Sequence, residues 1–94
     1  MWDNEDWAAR HIRKHRVKTQ EAWEIFERCS SALMAIDQLR FPPYRRYWTV
    51  GYTLAGRRLL VIWEQHREIC NLVTAFEPDE EKVRLYERKS KKGR

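Results

Sequence analysis

Residues 46–76 read RYWTVGYTLAGRRLLVIWEQHREICNLVTAF, and this stretch decides the fold. Its runs at 46–53, 59–63 and 69–76 are rich in Val, Ile, Thr, Trp and Tyr, the composition of strands in a half-buried pleated layer. Leu54-Ala55-Gly56-Arg57 reads as a hairpin turn with Gly56 at positive φ, and residues 65–67 read as a second turn. Upstream, residues 32–36 form another extended segment. Pro42-Pro43 sets it apart, because proline cannot donate into a ladder. Consecutive strands with tight connections make an antiparallel meander, so the expectation is a four-stranded antiparallel sheet with helices on one face.

Working outward, Trp7, Ala8, His11, Ile12 and His15 recur at helical spacing and predict a first helix near 3–15. Thr19 is the expected cap of a second, near 20–29, with Ala22, Trp23, Ile25, Phe26 and Cys29 as its buried stripe. Asp79, followed by Glu80 and Glu81, opens a third near 80–89, docked by Val83, Leu85 and Tyr86. The fold class is therefore α+β: two N-terminal helices, a four-stranded antiparallel sheet and a C-terminal helix. Trp23, Phe26, Val50, Val61 and Val73 are the expected core. One domain spans 1–89, and 90–94 form a basic tail expected to be disordered.

With 94 residues, 43% hydrophobic and 13% aromatic, the chain has enough apolar material for one core and too much for disorder. No apolar run approaches the roughly 20 residues of a membrane helix. Asp3, Glu5 and Asp6 make the start unlike a signal peptide, so a cytoplasmic protein without membrane contact is expected. Cys29 and Cys70 offer neither a zinc knuckle nor a disulfide framework and read as buried free thiols. The net charge of +5 is concentrated in two segments. Arg10, Arg13, Lys14, Arg16 and Lys18 occur with no acid among them, and 82–94 holds seven cations against Glu87. That distribution favours an anionic partner.

The first basic segment also carries chemistry. Metal-free RNA cleavage needs a base for the ribose 2′-hydroxyl, cations for the developing phosphorane charge and an acid for the leaving oxygen. His15 or His11 could act as base or acid, since imidazole titrates near neutrality. Lys14, Arg46 and Arg57 could hold phosphate. Arg13, Arg16 and Arg45 would extend an RNA-binding face on which Tyr47 or Tyr52 stacks a base. The competing readings are structural: His11 shares a row with Trp7 as a core seam, and a cationic His15 favours the helix C-terminus. The pair His11 and His15 has helical metal-ligand spacing, yet Ile12 stands where a zinc helix has Glu and cations surround it. No metal or cofactor is expected.

The pieces His11-Ile12, Lys14-His15, Val17, Thr19, Arg46-Tyr47, Val50-Gly51, Thr53, Ala55-Gly56-Arg57, Thr74-Ala75 and Arg84-Leu85-Tyr86 resemble, in order and spacing, the BrnT-type toxins of bacterial type II toxin–antitoxin pairs. The resemblance implies a RelE-like fold and metal-independent ribonuclease activity. It also implies a cognate antitoxin, which would bring the toxin to operator DNA only indirectly. The chain departs from that pattern in two places. Arg16 stands where the family usually has Gly, and Phe76 where an Arg commonly follows Thr-Ala. If that Arg holds the scissile phosphate, catalysis here is weakened or lost. The alternative is a non-catalytic basic domain that binds nucleic acid or an acidic protein.

Overall fold

Helix α1 (Glu5–Ile12) forms because Ala8 and Ile12, four apart, land on one face and are fully buried, while Glu5 and Asp6 sit at its positive end. In this computed structural model, which describes residues 1–28, 35–37 and 45–92 (side chains over 1–28 and 45–88), α1 tightens into a 3-10 turn, Arg13–His15. Arg16 then ends it in the left-handed conformation, φ 58° and ψ 37°, with its N–H donating to the Arg13 carbonyl at 2.9 Å. A Cβ in that region costs about 1 kcal/mol. Arg16→Gly is therefore expected to raise the thermal midpoint by about 2–4 °C, the strain relief outweighing the freer unfolded chain. A lower midpoint would mean that the Arg16 side chain contributes more than its backbone costs.

Helix α2 spans Thr19–Arg28 and buries Ala22 and Ile25, with Trp23 and Phe26 half-buried. Thr19 does not cap it, contrary to expectation. Thr19 is the first helical residue, and its hydroxyl donates to the Glu5 carboxylate, tying α1 to α2. The cap comes from Glu21, whose Oε1 accepts the Lys18 backbone N–H at 3.0 Å.

The α+β class stands, but the expected four-stranded antiparallel sheet is corrected. Three strands carry the sheet: β2 (Arg45–Tyr52), β3 (Arg58–His66) and β4 (Ile69–Phe76), paired antiparallel in that order. Before them, β1 (Ala35–Asp37) adds three residues against the outer edge of β2, where a longer strand over 32–36 was expected. Residues 32–34, Cys29, Pro42-Pro43 and the last two residues lie outside the described residues. The first hairpin follows the reading, with Gly56 at φ 87°, whereas the second turn is Arg67-Glu68, with Arg67 at φ 55°.

Helices on one face are also corrected to helices on both. Leu59, Val61, Trp63, Cys70, Leu72 and Ala75 face α1 and α2. Leu60, Ile62 and Trp48 form a second cluster with Val50, Val73, Phe76 and Tyr86. Helix α3 (Glu80–Lys92) covers that second face, capped as expected by Asp79, whose Oδ1 accepts the Lys82 N–H at 2.7 Å. Val83 is buried and Tyr86 lies 5.4 Å from Trp48, but Leu85 is exposed. Among the expected core residues Val61 is fully buried, while Trp23, Phe26, Val50 and Val73 are packed at the margins of the two clusters.

A bulge breaks the register of β4: Trp63 pairs with Leu72 but Ile62 with Thr74, leaving Val73 as the extra residue. The break reverses the alternation, so Leu72 and Ala75 both point to the first face while Val73 and Phe76 point to the second. The outer edge of the same strand is closed by the N-terminus. Asp3 donates its N–H to the Cys70 carbonyl (2.9 Å) and accepts the Cys70 N–H on Oδ2 (2.6 Å). The Asn4 amide accepts the Leu72 N–H and donates to the Leu72 carbonyl, both at 2.9 Å. Two residues thus stand in for a neighbouring strand. Cys70 behind them is buried and free, its thiol pushed up to about 12 by burial and by Asp3.

Candidate nucleic-acid interface

Beyond Leu72 the β4 edge meets a groove of about 360 Å³ where the two helical layers come together. Its walls are His15 from the 3-10 turn, Thr74 and Phe76 from β4, Glu77, and Lys82 from the first turn of α3. The bulge at Val73 sets the phase that aims Phe76 toward α3 instead of into the first cluster. The Phe76 ring lies 5.8 Å from the His15 ring and 5.9 Å from Lys82 Nζ, so one aromatic side chain joins the imidazole and the ammonium.

His15 is half-buried here. Burial first, then the charges of Lys14 and His11, hold its imidazole below the ordinary value of 6.5. The neutral form, the one able to accept a proton, therefore prevails at neutral pH. On acidification the unfolded chain takes up this proton at higher pH than the folded one. His15 thus costs stability as pH falls below 6.5 toward the folded value, and costs none above 6.5.

The remaining sequence-predicted residues are distributed elsewhere. Arg57 is held structurally: Nη1 donates to the Arg16 carbonyl (2.8 Å) and to Glu21 (3.1 Å), and Nε donates to Glu77 (3.2 Å). Hydrogen bonds to Glu77, then Glu21, strengthen its hold on the proton. Arg46 faces Glu64 directly across β2 and β3 at 2.7 Å. That pair is four residues along β3 from Leu60, the partner of Phe76, or about 13 Å from the groove. Tyr47 stacks on Trp63 at 5.7 Å and packs against the core, while Tyr52 and Arg45 are exposed. Lys14, Arg13 and Arg16 are exposed on the first basic segment, near His15 in the chain. His11 does not lie in a core seam. It stacks on Trp7 at 4.6 Å and 12°, and Trp7 is 49% exposed.

Lys82 was missed as a site residue because sequence shows it only as one of the cations of the 82–94 segment, and Thr74 entered only through the family resemblance. Asp79 as cap offered the usable signal: it fixes the start of α3 and so puts residue 82 in the first turn, next to the end of β4. Among the described residues no three His, Cys, Asp or Glu converge as a metal site, and no helix is long and apolar enough to cross a membrane. Set against protein-family models, curated proteins and solved structures, the chain matches none.

Proposed function

We propose that this chain is a cytoplasmic, BrnT-like toxin of a type II toxin–antitoxin pair, a weak metal-independent ribonuclease whose reaction site is the His15 groove. The observation that carries the reading is His15, kept neutral beside Phe76 with Lys82 over the same ring, at the foot of a segment of cations. In the reaction His15 takes the proton of a ribose 2′-hydroxyl, the 2′-oxygen bonds to the adjacent phosphorus, and the bond from phosphorus to the 5′-oxygen breaks. Lys82 offsets the charge gathering on the phosphorane, and the departing 5′-oxygen takes its proton from water in the open groove. The products are a 2′,3′-cyclic phosphate and a free 5′-hydroxyl.

Two features make this site slow. Its described lining holds a single imidazole, so no second histidine is placed as the acid, and Glu77 sets a carboxylate beside the phosphate position. The same features support a second reading, that of a domain which binds RNA and does not cut it. An antitoxin would cover the basic segment with acidic residues, and it would not add a strand at β4 over Cys70–Leu72, where Asp3 and Asn4 already occupy the edge. Incubation with an unstructured RNA tests the proposal. The expected outcome is slow release of cyclic-phosphate ends, unaffected by a chelator and absent in His15→Ala, with binding that weakens steeply as salt is raised. Cleavage that requires a divalent metal, or that persists without His15, would overturn it. Salt-sensitive binding with no product would select the binding-only domain.

A further inference from the structure

We propose that the stacked pair Trp7–His11 is a base-stacking platform for single-stranded RNA, on a track that leads along α1 into the His15 groove. The inference rests on the ribonuclease reading and names the form of its substrate. Helix α1 buries the stripe containing Ala8 and Ile12, both fully inaccessible, and leaves the neighbouring row turned outward. Trp7 is therefore half exposed, although the core it would stabilise lies a fraction of a turn away. Its plane is fixed from beneath by the His11 ring, nearly parallel at 12° and 4.6 Å, which leaves the outer indole face open to a second flat ring.

The row continues in the right direction. His11 lies close enough to His15 for its charge to act on that imidazole, and His15 adjoins Phe76. His15 is eight positions after Trp7, or roughly 12–14 Å along the helix axis. Arg10, Arg13 and Lys14 are exposed along this length, and among the described residues none of them is in an ion pair, so they are available to phosphates. Exposed Asp6 precedes Trp7 and marks where the attraction stops. An open aromatic face flanked by free cations suits unpaired bases, whose faces are accessible, and does not suit a duplex, whose bases are already stacked.

The test uses the full chain in a His15→Ala background, so that RNA stays intact, with a short labelled oligoadenylate and a stem of paired RNA as probes. Trp7→Ala is expected to weaken oligoadenylate binding by about tenfold, the scale of one lost stacking contact. Trp7→Phe, which keeps a ring, should bind nearly as the parent does, and the paired stem should be insensitive to either change. Quenching of tryptophan fluorescence by oligoadenylate should shrink in Trp7→Phe. If Trp7→Ala binds as tightly as its parent while binding stays salt-sensitive, the platform is refuted and the ribonuclease reading stands. If the parent binds neither RNA, both fall, and the exposed stack is left as a protein contact.

Discussion

Phe76→Arg is expected to raise RNA cleavage about tenfold over the parent, and adding His15→Ala to return it to nothing. A preorganised charge-stabilising donor contributes on the order of a hundredfold or more in rate. Three features of the groove reduce that gain. Lys82 already supplies one cation 5.9 Å from the Phe76 ring, Glu77 stands next to the new guanidinium, and a second positive charge pushes the His15 imidazole further down. The same substitution removes an aromatic side chain from the cluster of Trp48, Leu60 and Ile62, so the thermal midpoint should fall while the rate rises. Such opposed changes separate a true gain from a contaminating nuclease, which responds to neither position. In both proteins the acid limb of the pH–rate profile should lie below 6.5, because His15 is held below that value. A Phe76→Arg protein no faster than its parent would show that the phosphate does not pass this residue.

The second large effect concerns stability. Trp63→Ala should cost about 3–5 kcal/mol of unfolding free energy, the scale of a deleted core aromatic. Trp63 is 1% exposed, stacks on Tyr47 at 5.7 Å and meets Phe26 edge-on at 5.2 Å, so its removal opens a void that touches β2, β3 and α2. Trp63→Phe should cost clearly less, because it keeps most of the buried aromatic volume. The buried indole N–H has no hydrogen-bond partner among the described residues, so the smaller ring gives up volume without giving up a bond. Denaturant titration of the three proteins decides the matter. Equal losses in both variants would mean that the remaining ring does not fill the space the indole leaves.

Local signals in the sequence made part of this fold legible. The extent of β4 and the left-handed Gly56 could be read because period-two apolar runs and turn glycines act over a few residues. The bulge at Val73 has no such signal. A single extra residue reverses every side chain after it, so strict alternation would put Phe76 on the opposite face. Trp7 failed for a related reason: helical spacing identifies a shared row, but whether that row faces the sheet depends on how α1 is rolled against β4, and Ala8 and Ile12 won that contact. Arg46 and Arg57 were plausible phosphate ligands until register brought Glu64 opposite one and folding brought Glu21 and Glu77 to the other. Charges read singly along a chain say nothing about which of them neutralise each other. Within the groove His15 stood out in the sequence as a titratable group, whereas its neighbours Thr74 and Lys82 became visible only when a strand end, a turn and a helix start came together.

The clasp of Asp3 and Asn4 on β4 sets an order for the birth of the molecule. Both residues are synthesised well before their partners, which lie 67 and 68 positions later. Until β4 exists they have nothing to hold, and closing so long a loop favours slow, cooperative folding over piecemeal assembly. The groove has the same dependency, since His15 waits for Thr74, Phe76 and Lys82. A nascent chain that has not yet reached β4 therefore carries the basic segment without the assembled groove. Whatever the groove does therefore begins only when the chain has been made through Lys82.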